Sequence, residues 1–175
     1  GQDVTQMPVH QRARLGMART FQITNLLRTL SVQENILLSL QAREPGRFVL
    51  HRRMSSFDHL FSQAREILEE WGFWERRGAE VRSLSYGEQR EMEIIMAVAQ
   101  RPKLLLLDEP TSGLSPAETA RVVQMVRNLS REVSVLLIEH DMDVTFDTVD
   151  KISVLYQGRL VAEAHLRRYA RTAQL

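Results

Sequence analysis

Four consecutive leucines at residues 104–107, followed directly by Asp108 and Glu109, constrain the fold of this chain more than any other feature. An apolar run without alternation predicts a parallel strand covered on both faces. Open α/β sheets bind ligands at the carboxyl ends of such strands. Successive strand residues face opposite sides, so Asp108 can hold a Mg²⁺ ion while Glu109 acts as general base on a water. The alternative is a buried strand that ends in an acidic surface turn.

The segments on both sides of this strand predict an alternating α/β pattern. On the carboxyl side we expect a helix from residue 115 to about 129, a second buried strand at 133–138, a short helix at 141–149 and a hairpin around Gln157 and Gly158. On the amino side we expect a helix at 8–15 and a short strand at 17–21. Strands that alternate with helices are typical of α/β domains with a parallel sheet.

The middle of the chain has a helical pattern instead. Ser31 and Glu34 form a capping box that opens a helix to about residue 43. Apolar residues at steps of three and four between 55 and 71 predict one face of an amphipathic helix. The sequence therefore divides into four parts. These are the end of an N-terminal core part at 1–22, a helical subdomain at 23–101, a catalytic core at 102–164 and a divergent tail at 165–175.

A second motif, LSYGEQ, occupies residues 84–89. Ser85 can cap the helix that follows, and Glu88 completes the capping box. The free N–H groups at the start of a helix and the positive end of its dipole attract anions. Gly87 removes a side chain where a phosphate must approach the backbone. The alternative is an ordinary capped helix without a ligand.

Two further polar residues follow predicted strands. His140 comes directly after the second buried strand, where an imidazole can donate to a phosphate oxygen. Gln22 follows the short N-terminal strand. Taken alone, each has an ordinary alternative: a locally hydrogen-bonded histidine and a surface amide.

The order of these motifs resembles the ATP-binding-cassette (ABC) ATPase family. Residues 84–89 resemble the family signature motif, 104–109 its Walker B strand and 111–115 its D-loop. Residues 139–141 resemble the switch-histidine region, and 19–22 (RTFQ) the Q-loop. Within the family, residues 19–22 and 137–143 are most similar to the ATPases of branched-chain amino acid importers. Urea or amide importers and lipid-linked cassettes are also similar.

The resemblance implies a P-loop NTPase core of the ABC type, with a parallel sheet flanked by helices and a helical subdomain. It implies ATP and Mg²⁺ as ligands, and a dimer in which the signature motif of one cassette meets the ATP held by the other. Glu109 is then the base, Asp108 the metal residue, His140 the γ-phosphate sensor and Gln22 a contact to the metal or the water. The residues implied to bind the partner's nucleotide are Ser85, Gly87, Glu88, Gln89 and Ser115.

The phosphate-binding loop of the family, G-x-x-x-x-G-K-[ST], does not occur in the printed residues, since none of the eight glycines precedes a lysine. The resemblance thus implies a core that lacks its N-terminal strands and P-loop, and a chain that does not hydrolyse ATP by itself. The open alternatives are a truncated cassette without ATPase activity, a non-transport cassette such as a translation or DNA-repair factor, and a fragment that folds or dimerises without ATP.

Composition limits the partners. The 23 basic and 22 acidic residues give a net charge of +1, so a nucleic-acid partner is not expected. There is no cysteine, and no apolar run approaches the ~20 residues that span a bilayer. We expect a cytoplasmic protein on the inner face of the cell membrane, attached through a permease. Leu26 and Leu27, in the loop after Gln22, are candidates for that contact, and the alternative places both in the core.

Overall fold

A computed structural model describes residues 2–20, 26–42 and 58–166. Capping residues and apolar periodicity determine where its helices begin and end. The helices are α1 (Val9–Arg14), α2 (Val32–Gln41), α3 (Asp58–Glu70), α4 (Tyr86–Ala99), α5 (Pro116–Arg127) and α6 (Met142–Thr148). The strands are β1 (Met17–Arg19), β2 (Leu104–Asp108), β3 (Ser134–Ile138), β4 (Lys151–Tyr156) and β5 (Arg159–His165).

The leucine run forms the central strand of a parallel sheet. Strand β2 pairs with β1 on one side and with β3 on the other, in the order β1-β2-β3. Leu105 lies between Ala18 and Val135 in the register of the three strands. The prediction of an α/β fold with a parallel sheet flanked by helices is confirmed. The carboxyl ends of β2 and β3 meet at one edge, because the strands are parallel.

Strands β4 and β5 form a separate antiparallel hairpin, as predicted. Gln157 and Gly158 connect them with φ values of +49° and +74°, the positive φ pair that a tight two-residue hairpin turn requires. The pairing of β5 continues to His165, which lies opposite Lys151. The proposed start of a divergent tail at residue 165 therefore coincides with the last residue of a paired strand.

Three helices begin at complete capping boxes. Ser31, Ser85 and Ser115 each accept a hydrogen bond from the backbone of a glutamate three residues later, whose side chain returns to the serine backbone. These boxes satisfy amide groups that the first turn of a helix leaves without partners. The predicted capped helix starts at Ser31, Ser85 and Ser115 are confirmed.

Helices α2, α3 and α4 pack together into the helical part of the chain. The predicted amphipathic face of α3 is confirmed by Leu60, Ala64 and Leu68, each of which is at most 1% exposed. These side chains join one core with Ile36 of α2. The predicted start of this helix at 55–57 and the predicted end of α2 near residue 43 lie outside the described residues.

The prediction of a second buried strand holds for one face of β3 only. Leu136 and Ile138 are each 56% exposed, while the alternate residues Val135 and Leu137 are partly buried. In the described part of the chain, helices pack on one face of this strand only. An apolar run without alternation therefore predicts burial on both faces of a strand even where only one face is packed.

Strand β2 follows the same alternation less strongly. Leu105 and Leu107 are 0% and 1% exposed, whereas Leu104 and Leu106 on the other face are partly exposed. The prediction of burial on both faces thus holds fully for one face of β2 only.

Candidate functional site

The acidic pair after the leucine run lies at the carboxyl edge of the sheet, as predicted. Asp108 pairs in register with Ile138, so the residues after both strands are neighbours. The amide of Glu109 donates to the Ile138 carbonyl at 2.9 Å and extends the pairing by one residue. This arrangement brings His140 to the same edge, with its Nδ1 3.6 Å from Oε1 of Glu109.

Glu109 has an unusual backbone. Its φ is +45°, a region that costs a residue other than glycine about 1–3 kcal/mol and is concentrated at functional sites. The turn that follows is closed by the Ser112 amide, which donates to the Glu109 carbonyl at 3.2 Å. The strand end and this turn together orient a carboxylate that is 31% exposed, so it can reach a water and still be held in place.

Asp108 is held by a residue that the sequence analysis quoted only as part of a motif. The guanidinium of Arg19, at the end of β1, donates to Oδ2 of Asp108 at 3.1 Å. The Asp108 side chain is 28% exposed, so the ion pair lies at the accessible edge of the sheet. The ion pair compensates the charge of the Asp108 carboxylate.

A magnesium ion fits the residues present at this edge. Mg²⁺ is usually held by one or two carboxylates together with substrate phosphates and water. Asp108 supplies one such carboxylate at the accessible edge of the sheet, where it now pairs with Arg19. In the described ranges, no group of three or more acidic, histidine or cysteine side chains lies together.

Glu139 is a buried carboxylate that the sequence analysis missed as a separate residue. Its side chain is 1% exposed and accepts hydrogen bonds from the Thr111 amide (3.1 Å), the Thr111 hydroxyl and the His140 amide (3.2 Å). Buried networks in which every member is satisfied hold their parts rigidly. Glu139 thus ties the turn after Glu109 to the strand end that carries His140.

The LSYGEQ motif forms the start of α4. The Ser85 amide donates to Oε2 of Glu88 at 2.8 Å, and the Glu88 amide donates to the Ser85 hydroxyl at 3.2 Å. Arg76 forms an ion pair with the other carboxylate oxygen of Glu88. Burial raises the pKa of Glu88, but hydrogen bonds from Ser85 and the charge of Arg76 outweigh it, so the pKa lies below its usual value. Glu88 is therefore engaged in holding the helix start.

Gln89 has a position different from that of Ser85. Its side chain is buried, and its amide nitrogen donates to the Leu84 carbonyl at 2.9 Å. This contact shapes the turn that leads into α4 and keeps the Gln89 side chain out of solvent, whereas Ser85 is exposed. The other glutamine of the predicted site, Gln22, lies outside the described residues.

The motif at α4 touches the segment after Glu109 within the same chain. The Tyr86 hydroxyl donates to the Ser112 carbonyl at 3.5 Å, and the Tyr86 ring lies close to Gly113. Ser115 caps α5, so its hydroxyl is shared with Glu118. The start of α4 and residues 112–115 thus form a second group, and residues 109–111 connect it along the chain to the acidic edge.

These two groups define the class of protein. A parallel sheet with an acidic pair at its carboxyl edge, a histidine just after the neighbouring strand and a capped helix start nearby is the arrangement of an α/β nucleotide triphosphatase domain.

Comparison with known proteins gives the family. The model of the ABC transporter family matches residues 1–112. The chain is 35% identical to the high-affinity branched-chain amino acid transport ATP-binding protein LivG of Escherichia coli K12, over 89% of this chain and 64% of LivG. It is 35% identical to BraF of Pseudomonas aeruginosa, described in the same words, over 93% of this chain and 67% of BraF. The chain belongs to the ABC transporter family.

Other comparisons agree on the fold. A probable ABC transporter ATP-binding protein of Azorhizobium caulinodans is 36% identical over 93% of this chain and 55% of its own length. The ADP conformation of an ATP-binding cassette of an ABC transporter superposes with a TM-score of 0.80 at 25% identity, over 94% of this chain and 66% of that chain. The chain thus spans less than two thirds of the length of several of these relatives. In the described ranges, no helix is long and apolar enough to cross a membrane.

Proposed function

We propose that this chain is part of the ATP-binding subunit of an ABC transporter, which couples ATP hydrolysis to the import of a solute. The observation that carries the proposal is the edge where Asp108, Glu109 and His140 converge, beside the capped start of α4. LivG and BraF are branched-chain amino acid transport proteins. Their similarity favours branched-chain amino acids as the solute, ahead of urea, amides or lipids.

The residues at the acidic edge have separate tasks in this proposal. Glu109 accepts the proton of a water aligned with the γ-phosphate of ATP, and the turn closed by Ser112 holds its carboxylate in place. His140, fixed through Glu139, donates to the same phosphate. Asp108 would hold Mg²⁺, which would neutralise charge on the phosphate oxygens. Gln22 contacts the metal or the water.

The capped start of α4 has its task in a dimer. Two cassettes face each other head to tail, and Ser85 and Gly87 of one bind the phosphates of the nucleotide held by the other. Glu88 and Gln89 fix this helix start from within the chain, through Ser85 and Leu84. Ser115 contributes from the adjoining turn. Catalysis on this account consists of positioning and electrostatic stabilisation.

A polypeptide limited to residues 1–175 is expected to hydrolyse ATP no faster than background. The printed residues contain no G-x-x-x-x-G-K-[ST] sequence, whose backbone amides and lysine supply most contacts to the phosphates. Phosphate release by the purified 175-residue polypeptide measures this, with its Glu109→Gln variant as the control for contaminating ATPases. Turnover of about 1 s⁻¹ or more that Glu109→Gln abolishes would show that these residues form a complete site.

The membrane contact is proposed at Leu27. The sequence did not distinguish Leu26 from Leu27 as the membrane contact, but their exposure differs. Leu26 is 7% exposed and belongs to the core, whereas Leu27 is 50% exposed. Asn35 holds the backbone of Leu27, accepting from its amide at 2.9 Å and donating to its carbonyl at 3.1 Å. An apolar side chain presented to solvent by a fixed backbone is suited to contact a permease subunit that anchors the cassette to the cytoplasmic face of the membrane.

Leu27→Asp is expected to weaken co-purification with the permease while the thermal midpoint of the cassette changes little. Burial of one leucine contributes roughly 1.5–3 kcal/mol, which corresponds to a loss of at least tenfold in binding. Leu26→Asp is the matched control, since it places a charge in the core and should lower the thermal midpoint strongly. Unchanged co-purification of Leu27→Asp, or unfolding by both substitutions, would exclude the proposed contact.

A further inference from the structure

A buried ion pair lies in α4, one turn after the start of the helix. Nη1 of Arg90 donates to Oε2 of Glu93 at 3.1 Å, and the two side chains are only 6% and 8% exposed. Charged side chains are rarely buried so completely unless they are paired, because their removal from water costs free energy. The tasks proposed above for the start of α4 involve neither residue.

Arg90 also reaches back to Tyr86, the first residue of α4. Its Nε donates to the Tyr86 hydroxyl at 3.1 Å, and its guanidinium carbon lies 5.3 Å from the centre of the tyrosine ring. A guanidinium is planar and has donors only, so Nε and Nη1 hold Tyr86 and Glu93 in a fixed relation to each other. The Tyr86 side chain is therefore held in place although the residue is 47% exposed.

Tyr86 in turn contacts the segment that follows the general base. Because Arg90 can only donate to the phenolic oxygen, the proton of Tyr86 is available to the Ser112 carbonyl, 3.5 Å away. The ring lies beside Gly113, where an added Cβ would be 3.5 Å from Cε1 of Tyr86. The Ser112 amide donates to the Glu109 carbonyl at 3.2 Å. Contacts thus run from the buried pair through Tyr86 to the turn that holds Glu109.

The backbone of Glu109 depends on support of this kind. Its φ of +45° is unfavourable for a residue other than glycine, and such a conformation persists only where the surrounding structure holds it. Glu139 holds the turn after Glu109 at Thr111, and Tyr86 contacts it one residue further on, at Ser112. The turn is therefore held from β3 and from α4.

We propose that Tyr86 is a positioning residue for the general base: held by Arg90, it keeps the turn at Ser112 in the conformation that directs the Glu109 carboxylate to the attacking water. This inference rests on the proposed function, because it concerns the same base. It also gives the start of α4 a task within its own chain, separate from its contact with the partner's nucleotide. Removal of the Tyr86 hydroxyl then slows the chemical step and leaves ATP binding unchanged.

The test is Tyr86→Phe in the polypeptide as its gene encodes it, which keeps the ring and removes the hydroxyl that joins Arg90 to Ser112. The kcat should fall by about threefold to tenfold, the effect expected from the loss of one hydrogen bond, while KM for ATP and the thermal midpoint keep their parent values. Tyr156→Phe is the matched control: it makes the same change at an exposed tyrosine of β4 and should leave both constants unchanged. An unchanged kcat in Tyr86→Phe would overturn the proposal.

Arg90→Lys tests what holds Tyr86. Lysine keeps a positive charge beside Glu93 but lacks the planar fork that holds the tyrosine as well. It should lower kcat to a similar extent as Tyr86→Phe. The double variant should lose no more than either single variant, because both substitutions remove the same contact. Losses that add in the double variant would overturn the assignment of Arg90 as the residue that holds Tyr86.

A third comparison separates this proposal from the proposed function. Single-turnover ATP hydrolysis is measured in Glu109→Gln with and without Tyr86→Phe. The second substitution should cause no further loss, since the base that Tyr86 positions is already gone. The same fractional loss in both backgrounds would overturn the proposal, because Tyr86 would then act independently of Glu109. A parent polypeptide that hydrolyses no ATP, or one in which Glu109→Gln changes nothing, would overturn the proposed function itself, and the positioning with it.

Discussion

In the polypeptide as its gene encodes it, replacement of Glu109 by Gln is expected to lower steady-state ATP hydrolysis by about 10²–10⁴-fold, the usual contribution of a general base. The substitution preserves the shape of the side chain and the amide that donates to Ile138. It removes the carboxylate that accepts the proton of the attacking water. ATP binding should survive, so the variant should accumulate as an ATP-bound dimer.

The measurement compares kcat and KM for ATP in the polypeptide as its gene encodes it, together with its size with and without ATP. Glu132→Gln, an exposed residue in the turn before β3, is the matched control and should leave both constants unchanged. A Glu109→Gln variant that retains more than about a tenth of the parent kcat would contradict the assignment of Glu109 as the base. Failure to dimerise with ATP would contradict the expected trapped state.

Local chemistry explains why so much of the fold could be predicted from the sequence. The leucine run of β2, the serine–glutamate capping boxes and the Gln157–Gly158 turn each depend on residues a few positions apart. Such signals survive folding because no distant contact is needed to produce them. The order of the motifs then gave the resemblance that the family match confirms.

Packing that involves distant residues could not be predicted. Arg19 meets Asp108 across 89 positions, and Glu139 meets Thr111 across 28. The contact between Glu118 and Gly87 likewise joins two helices that the sequence treats separately. Capping-box patterns identify Glu118 as a local residue, and nothing in their spacing indicates the second helix that it reaches.

The exposure of one face of β3 could not be predicted either, because it depends on which distant residues pack on the strand. The residues from Val135 to Ile138 are all apolar. An apolar strand has the same sequence pattern whether one of its faces or both are covered. In the described part of the chain only one face is covered, since Leu136 and Ile138 on the other face are each 56% exposed. Burial of an apolar strand is thus a property of what packs on it, not of the strand alone.

The central claim is that Ser85 serves the nucleotide held by the partner cassette, and mixed dimers test it directly. Both protomers, as their gene encodes them, carry Glu109→Gln and different tags, and one also carries Ser85→Asp. Aspartate is as good a helix cap as serine, so α4 should form, while its charge opposes a phosphate. Ser31→Asp makes the same change at the cap of α2 and is the matched control.

The readout is covalent labelling by a photoreactive ATP analogue whose reactive group is on the adenine. The account predicts that the label stays on the protomer that carries Ser85→Asp and falls at least about tenfold on its partner, since like charges in a phosphate site cost several kcal/mol. With Ser31→Asp both protomers should be labelled equally. Loss of label from the Ser85→Asp protomer itself, with its partner unaffected, would contradict the claim.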